Sequence, residues 1–130
     1  MSAFEALRIA NSSLGSHQVW LDALANNIAN ANTVRPTDED AFQATYVVLD
    51  QVEQGGVKVT GFEASDAEGR MVYDPANPVA DENGMVRAPD MDMSDQMSEL
   101  IMAQRGFQAS VQTTKHAQDT YSAAIQIGAK

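Results

Sequence analysis

Few residues of this 130-residue chain have types and spacings that could support chemistry. His17 and His116 each lie on a segment with a helical apolar pattern, and neither has a second histidine one turn away to complete a metal pair. The lack of cysteine excludes disulfides and thiolate ligands. Both histidines are therefore interpreted as structural, and His17, which falls on an apolar seam, is expected to contact another helix.

Clustered acidic residues are the next candidates. The segment Asp81–Gly84 resembles part of a calcium-binding loop, but Val79 stands where the first carboxylate belongs and Asp90 where the final glutamate belongs. A plain turn is the preferred interpretation, and Asp92 and Asp95 are assigned to a helix cap and a solvated face. No glycine-rich phosphate loop or nucleophile elbow occurs. The sequence therefore predicts no catalytic residue, no cofactor and no metal, and a protein that is not an enzyme.

The charge is distributed unevenly along the chain. The net charge is -10, of which residues 1–33 contribute -1, residues 34–92 contribute -9 and residues 93–130 contribute zero. Such an acidic chain is not expected to bind nucleic acid or anionic membrane surfaces. No apolar stretch approaches the length of a membrane-spanning helix, and no cleaved secretory signal is visible. If the protein leaves the cytoplasm, we expect another export route.

Both weakly charged ends have the seven-residue apolar repeat of packed helices. In the N-terminal part the repeat consists of Leu7, Leu14, Leu21 and Ile28, alternating with Ala3, Ala10, His17, Leu24 and Ala31. In the C-terminal part it consists of Met93, Met97, Leu100, Gln104, Phe107, Val111, Thr114, Gln118, Tyr121 and Ile125. The repeats predict helices over about residues 4–31 and 94–127, the second capped by Asp92 or Ser94.

The acidic middle is expected to form a small β region. Strands are predicted within Phe42–Leu49, Val57–Phe62, Met71–Tyr73 and Met85–Arg87. The polar turn Ser65–Gly69 is expected to join the second and third of these strands as a hairpin. The predicted fold class is mainly α with a small β insertion, in which long N- and C-terminal helices pair as an antiparallel coiled coil around a short β-rich central region.

The predicted helices have too few charged residues for an ordinary surface coiled coil, with eight over both helices, and apolar residues such as Trp20 and Ile101 lie off the seam. Helices that are apolar or neutral on all sides are usually buried on several sides. We therefore expect both helices to pack against several chains, and the free monomer to order them only on assembly. A two-helix hairpin closed on itself remains an alternative. The predicted domains are an N-terminal assembly helix (1–33), an acidic β-rich central region (34–92) and a C-terminal assembly helix (93–130).

A family resemblance begins at Trp20–Thr33, the run WLDALANNIANANT. It is similar to the N-terminal signature of the bacterial flagellar rod, hook and hook-associated axial proteins. The central region resembles that of the C-type branch of the family, from the proximal rod of the flagellar basal body, at Val57–Gly61, Val72–Pro75, Asn77, Pro78, Ala80, Asp81, Gly84 and Pro89. Ala103–Ala109 resembles the C-terminal helix motif of the whole family. The chain departs from the family pattern at Asp90, Phe107 and Ser110, where asparagine, tyrosine and asparagine are usual.

The resemblance implies a non-enzymatic structural subunit without a cofactor, which serves motility in the proximal rod, the drive shaft that crosses the periplasm. It implies export through the flagellar type III machinery without a cleaved signal peptide. The implied partners are other rod proteins and copies of this chain, with no nucleic acid and no direct membrane insertion. In the family the terminal helices pair into the inner tube, and the central region forms part of its outer side.

The expected assembly residues combine the apolar seams, the amides of the signature and the C-terminal motif. They are Leu7, Leu14, Leu21, Leu24, Asn27, Ile28, Asn30, Asn32, Met97, Leu100, Arg105, Phe107, Val111, Tyr121 and Ile125. Another axial family member is an alternative that the central motifs disfavour. A soluble adaptor that binds one amphipathic helix through its methionines, five of which lie between residues 85 and 102, is an alternative from a different class. A small enzyme is the third alternative.

Overall fold

A computed structural model describes residues 3–128 of the chain, which form two long helices and four short strands within that range. In chain order these are α1 (Ala3–Ala29), β1 (Thr45–Gln51), β2 (Val57–Ala64), β3 (Arg70–Tyr73), β4 (Met85–Ala88) and α2 (Met93–Gly128). The predicted fold class is confirmed. Helix α1 ends two residues before the predicted end, because Asn30 and Ala31 form a turn with backbone bonds back to residues 26–28.

The start of α2 is fixed by the predicted cap. Asp92 Oδ1 accepts hydrogen bonds from the backbone N–H groups of Ser94 (2.6 Å) and Asp95 (3.3 Å), and the Asp92 carbonyl accepts one from Gln96 (3.1 Å). Amides in the first turn of a helix have no partner within the helix, so a carboxylate at this position satisfies them and also complements the helix dipole. Asp92, rather than Ser94, is the capping residue.

The two helices run antiparallel along each other. Phe4 lies edge-on to Tyr121 with ring centroids 5.3 Å apart, the hydroxyls of Ser13 and Ser110 are 3.0 Å apart, and Asn27 bonds to Gln96 at the far end. The seam on α2 differs in register from the prediction. Its buried residues are Gln96, Ala103 and Ser110, while Met97, Val111 and Ile125 of the predicted seam are exposed.

Small side chains explain this change of register. Ala103 is fully buried, and a Cβ added at Gly106 would collide with Nε2 of His17 on α1. A helix surface of alanine, glycine and serine allows a close approach of the partner helix, which bulky residues would prevent. The seven-residue spacing was therefore predicted correctly. The predicted register was wrong because it followed the large apolar residues, which lie beside the contact between α1 and α2.

The central strands form two antiparallel two-stranded sheets, β1–β2 and β3–β4. The predicted hairpin between the second and third strands is therefore wrong. Val52 and Gly56 close a tight turn between β1 and β2, in which Gly55 and Gly56 have φ of 85° and 99°, a region that favours glycine. The turn Ser65–Gly69 instead connects one sheet to the other. An isolated bridge between Arg35 and Arg87 adds a partner to β4.

The β1–β2 hairpin is attached to α1 at both of its ends. At the turn, the Arg8 guanidinium donates to the carbonyl oxygens of Gln54 and Gly55, and the Ser12 hydroxyl accepts a bond from Val57 N–H (3.2 Å). At the other end, Asn27 bonds to the backbone of Thr45. The hairpin therefore lies along α1 and covers a side of the helix that α2 does not.

Candidate functional site

The most buried polar group on the helices is an amide junction between α1, α2 and β1. Asn27 is fully buried and Gln96 is 1% exposed. Asn27 Nδ2 donates to the Thr45 carbonyl and to Gln96 Oε1, both at 2.9 Å, and its Oδ1 accepts from Thr45 N–H at 2.8 Å. A neutral amide can donate and accept at once without the desolvation cost of a buried charge. We refer to Asn27, Gln96 and Thr45 as the amide junction.

The remaining asparagines of the signature have a different role. Asn30 Nδ2 donates to the Asn26 carbonyl (2.9 Å), and its own carbonyl accepts from Thr33 N–H (3.0 Å), so Asn30 closes the end of α1. Asn26 and Asn32 are exposed. Of the signature amides expected to contact neighbouring subunits, only Asn27 has its side chain enclosed within the chain. Sequence reasoning missed Gln96, its partner, because the predicted seam ran through Met97.

A second contact fixes the middle of the helix pair. His17 Nδ1 donates to the Ser13 carbonyl at 2.7 Å, and the His17 ring packs on the backbone of Gly106, where a side chain would collide with Nε2. The Ser110 hydroxyl lies 3.0 Å from that of Ser13 and 2.9 Å from the Gly106 carbonyl. The predicted helix contact of His17 is thus present.

The other expected assembly residues fall into two groups. On α1, Leu24 is buried, while Leu7, Leu14, Leu21 and Ile28 are half-buried. On α2, Leu100 and Phe107 are half-buried and Arg105 is exposed. Large apolar side chains remain exposed along α2, among them Met97, Ile101, Met102, Val111, Tyr121, Ile125 (54%) and Ile127 (79%). One helix partner does not cover α2, as the sparse charges indicated.

An open cleft of about 330 Å³ lies where α1, α2 and β1 meet. Its lining consists of Trp20, Tyr46, Val47, Leu49, Glu99 and Met102. Trp20 Nε1 donates to Glu99 Oε2 at 3.3 Å, so the apolar cleft contains one carboxylate. Burial, followed by the nearby charges of Glu99, Asp90 and Asp95, raises the pKa of Tyr46 above its ordinary value. The exposure of Leu49 and Met102 leaves the mouth of the cleft apolar.

The acidic turn near Asp81 is a hydrogen-bonded turn. Asp81 Oδ1 accepts from the N–H groups of Asn83 and Met85, both at 2.9 Å, and Oδ2 accepts from the Thr37 hydroxyl at 3.3 Å. The Met85 N–H is the largest cause of a lowered pKa of Asp81; Asn83 and Thr37 add to it, against a desolvation effect that raises the pKa. The bonds from Asn83 and Met85 are those of a turn-forming aspartate, and the bond from Thr37 ties the turn to an earlier part of the chain.

Two negative findings apply to residues 3–128. No three of their histidine, aspartate and glutamate side chains are grouped so that they could hold a metal ion. Asp119 follows His116 by one turn of α2, but both are exposed, and a single such pair is not a metal site. Within the same range, no helix is both long enough and apolar enough to cross a membrane.

Comparison with known proteins gives consistent matches at both ends of the chain. Residues 7–37 match the family model described as "Flagella basal body rod protein", and residues 82–127 match "Flagellar basal body rod FlgEFG protein C-terminal". The chain is 36% identical over 118 residues to the flagellar basal-body rod protein FlgC of Salmonella typhimurium, covering 86% of this chain and 87% of that protein.

Relatives from other bacteria have the same name. The FlgC protein of Yersinia enterocolitica is 37% identical over 123 residues, which covers 88% of this chain and 92% of the relative. That of Bacillus subtilis is 26% identical over 149 residues, which covers 98% and 99%. The similarity therefore includes the central β region as well as both helices.

Proposed function

This chain belongs to the flagellar basal-body rod proteins of the FlgC type, and from that premise we propose that α1 and α2 are the elements through which it assembles into the rod. It is a structural subunit of the flagellar basal body. The proposal adds that the subunit contacts copies of itself and other rod proteins, that the rod crosses the periplasm as a drive shaft, and that no catalysis is involved. Export through the flagellar type III machinery without a cleaved signal is part of the same proposal.

The observation that supports this most strongly is the set of large apolar side chains exposed around α2. Met97, Ile101, Val111, Ile125 and Ile127 lie on a helix that has a single helical partner in the chain. Burying an aliphatic side chain completely contributes about 1.5–3 kcal/mol, so covering several half-exposed ones contributes on the order of 5 kcal/mol. An exposed apolar surface of this kind marks an interaction site.

The charge distribution supports an orientation for the three proposed parts. Residues 34–92 carry a net charge of -9, whereas residues 1–33 and 93–130 are close to neutral. Packing neutral helices together avoids the cost of burying charge, while acidic central regions would repel one another if they were packed inside. We therefore assign assembly to 1–33 and 93–130, and place 34–92 on the outer side of the rod.

Substitution on the exposed end of α2 tests this function. The variant Ile125→Asp with Ile127→Asp should fold normally, because both side chains are exposed in the single chain, yet it should prevent rod assembly. We would express it in a strain that lacks its own copy, then measure swimming in soft agar and the presence of the chain in isolated basal bodies.

Gln126→Asp is the matched control, since Gln126 is an exposed neutral residue between the two isoleucines. It should retain swimming. Normal swimming of the double isoleucine variant would show that the exposed C-terminal end of α2 is not an assembly surface. Loss of its helical circular dichroism would instead attribute the defect to folding.

A further inference from the structure

The cleft between α1, α2 and β1 has the properties of a socket for a partner side chain. We use the name socket for Trp20, Tyr46, Val47, Leu49, Glu99 and Met102. Its volume of about 330 Å³ is at the lower end of the range for small binding sites, and its walls are mostly apolar. Leu49 and Met102 are exposed at its mouth, so no segment among residues 3–128 covers it.

The electrostatic environment of the socket is negative. Residues 90–99 contain four acids and no base, and one of them, Glu99, lies inside the socket. Burial is the largest cause of the raised pKa of Tyr46, and the negative charges of Glu99, Asp90 and Asp95 raise it further. An occupant that complements this site must therefore combine an apolar side chain with a positive charge.

A surface of this description exists on the same chain. Along α2, an exposed stripe with alternating spacings of four and three runs through Val111, Lys115, Gln118, Ser122 and Ile125. Lys115 is its single charged residue. We call these five residues the outer stripe. None of them is buried by α1.

The socket and the outer stripe lie on opposite sides of α2. Met102 and Val111 are nine residues apart, which is two and a half turns of an α-helix, so their side chains point in opposite directions. Glu99 lies within one turn of Met102, and Lys115 lies within one turn of Val111. On both surfaces, the charged residue is therefore about one helical turn from the apolar residue.

We propose that the outer stripe of one copy docks into the socket of a second copy, with Val111 at the mouth beside Met102 and Lys115 near Glu99. The contact rests on the proposed rod function, names one of its interfaces and adds β1 to the elements that take part in assembly. Because two different surfaces meet, one copy of a docked pair keeps a free socket and the other keeps a free stripe, so the contact can repeat into a ring or a helical array.

The size of the contact predicts when it forms. Five or six side chains on each surface are far fewer than the 20–30 residues per side of a standard stable interface. A single pair of copies should therefore dissociate in dilute solution, and the contact should persist only where other rod contacts hold the copies together.

Disulfide trapping tests the contact, and the chain has no cysteine of its own. The variant Met102→Cys with Val111→Cys should give covalent dimers and larger oligomers when isolated basal bodies are oxidised and analysed on non-reducing gels. A bond within one chain is impossible, because nine helical residues span about 13.5 Å and a disulfide requires Cα atoms within about 7 Å.

Gln104→Cys with Val111→Cys is the matched control, since Gln104 and Val111 lie two turns apart on the same side of α2. This pair should give less than a tenth of the oligomer. If the first pair is incorporated into basal bodies but gives no oligomer above the control, the docking proposal is overturned and the rod function stands. If the unsubstituted chain is absent from basal bodies, both proposals fail.

A charge exchange supplies an independent measurement. In the Met102→Cys, Val111→Cys background, Glu99→Lys alone and Lys115→Glu alone should each lower the oligomer yield at least fivefold. Combining the two should restore the yield to within twofold, and swimming should follow the same order. A combined variant no better than the single ones would refute the contact between Lys115 and Glu99.

Discussion

Asn27 provides, in one side chain, the polar partners that three elements need where they meet. Its Nδ2 satisfies the Thr45 carbonyl and Gln96 Oε1, while its Oδ1 satisfies Thr45 N–H. Aspartate would lack the two donors, and a hydrocarbon side chain would lack both functions. The position therefore requires asparagine for a reason internal to the subunit, quite apart from any contact between subunits.

The substitution Asn27→Leu should lower the free energy of unfolding by about 3 kcal/mol, because it leaves buried backbone and amide groups without partners. Urea unfolding followed by circular dichroism of the purified chain would measure this. Asn26→Leu, at the exposed neighbouring position, should change stability by less than about 0.5 kcal/mol. Equal effects of the two substitutions would mean that the amide junction contributes little.

Asp81 should give stability a measurable dependence on acid. Hydrogen bonds to its ionised form lower its pKa in the folded chain. Its contribution is therefore complete above the unfolded pKa of about 3.9 and is lost as pH falls through the lower, folded value. Asp81→Asn keeps an oxygen acceptor for the turn but does not titrate. Its unfolding midpoint in urea should fall less steeply than that of the parent below about pH 4, and parallel curves would argue against this role.

At the scale of elements, the close contact of α1 with α2 depends on the absence of bulky side chains from the contacting face of α2. Gly106 leaves room for the His17 ring, and Ala103 is buried next to the same contact. Gly15, by comparison, faces open space, since no atom lies within 4 Å of a Cβ built there. The two mid-helix glycines disfavour the helix by a similar free energy relative to alanine, yet they have different structural roles.

Substituting the two glycines should have opposite effects. Gly15→Ala should stabilise the chain by about 1 kcal/mol through helix propensity. Gly106→Ala gains the same propensity but forces His17 or the helix to move, so a net loss of about 1–2 kcal/mol is expected. Adding His17→Ala should recover at least about 1 kcal/mol of the Gly106→Ala loss. Thermal unfolding of the parent and of these three variants tests this, and stabilisation by Gly106→Ala would exclude the proposed steric conflict.

What could be predicted from sequence was mostly local. The seven-residue repeats, a cap at Asp92 or Ser94 and a strand at Met85–Arg87 depend on residues close together in the chain. The structure contains both repeats, Asp92 as the cap and a strand at Met85–Ala88. The pairing of the strands depends on which distant segments meet, and β-propensity alone does not determine this. A further clue was available in the Gly55–Gly56 pair, whose positive φ values allow the turn between β1 and β2.

The candidate site was less predictable for a related reason. The signature identified Asn27, but its burial depends on Gln96, which lies 69 residues further along the chain. Hydrophobic patterning follows large apolar residues, so it placed Met97 in the seam and left Gln96 outside. The socket escaped prediction because its walls come from three elements that only the fold brings together.

At the scale of the whole molecule, α2 divides into a half with buried side chains and a half without them, in which Tyr121 still contacts Phe4 of α1. Its buried residues lie between Gln96 and Ser110, whereas every side chain from Gln118 to Gly128 is exposed. Segments with few buried contacts open more readily than those in a core. We therefore predict that residues 118–128 are the part of α2 that gains most helical order when neighbouring subunits pack against it.

Amide hydrogen exchange of the purified monomer should reveal this division. Amides of residues 118–128 should exchange at least tenfold faster than those of residues 98–110, because local opening there breaks few tertiary contacts. The same amides should become protected in isolated basal bodies. Uniform slow exchange along the whole of α2 in the monomer would contradict assembly-coupled ordering.

The attachment of the β1–β2 hairpin to α1 at both ends has a mechanical consequence. Its two anchor points on the helix, Ser12 and Asn27, are separated by about 22 Å of helix. Under load, a hairpin attached to the helix at only one end would detach by breaking its hydrogen bonds one after another. Held at both ends, it must twist together with the helix, so its backbone bonds share the load in shear. In a rod that transmits torque, as proposed above, the hairpin would stiffen α1 against twisting.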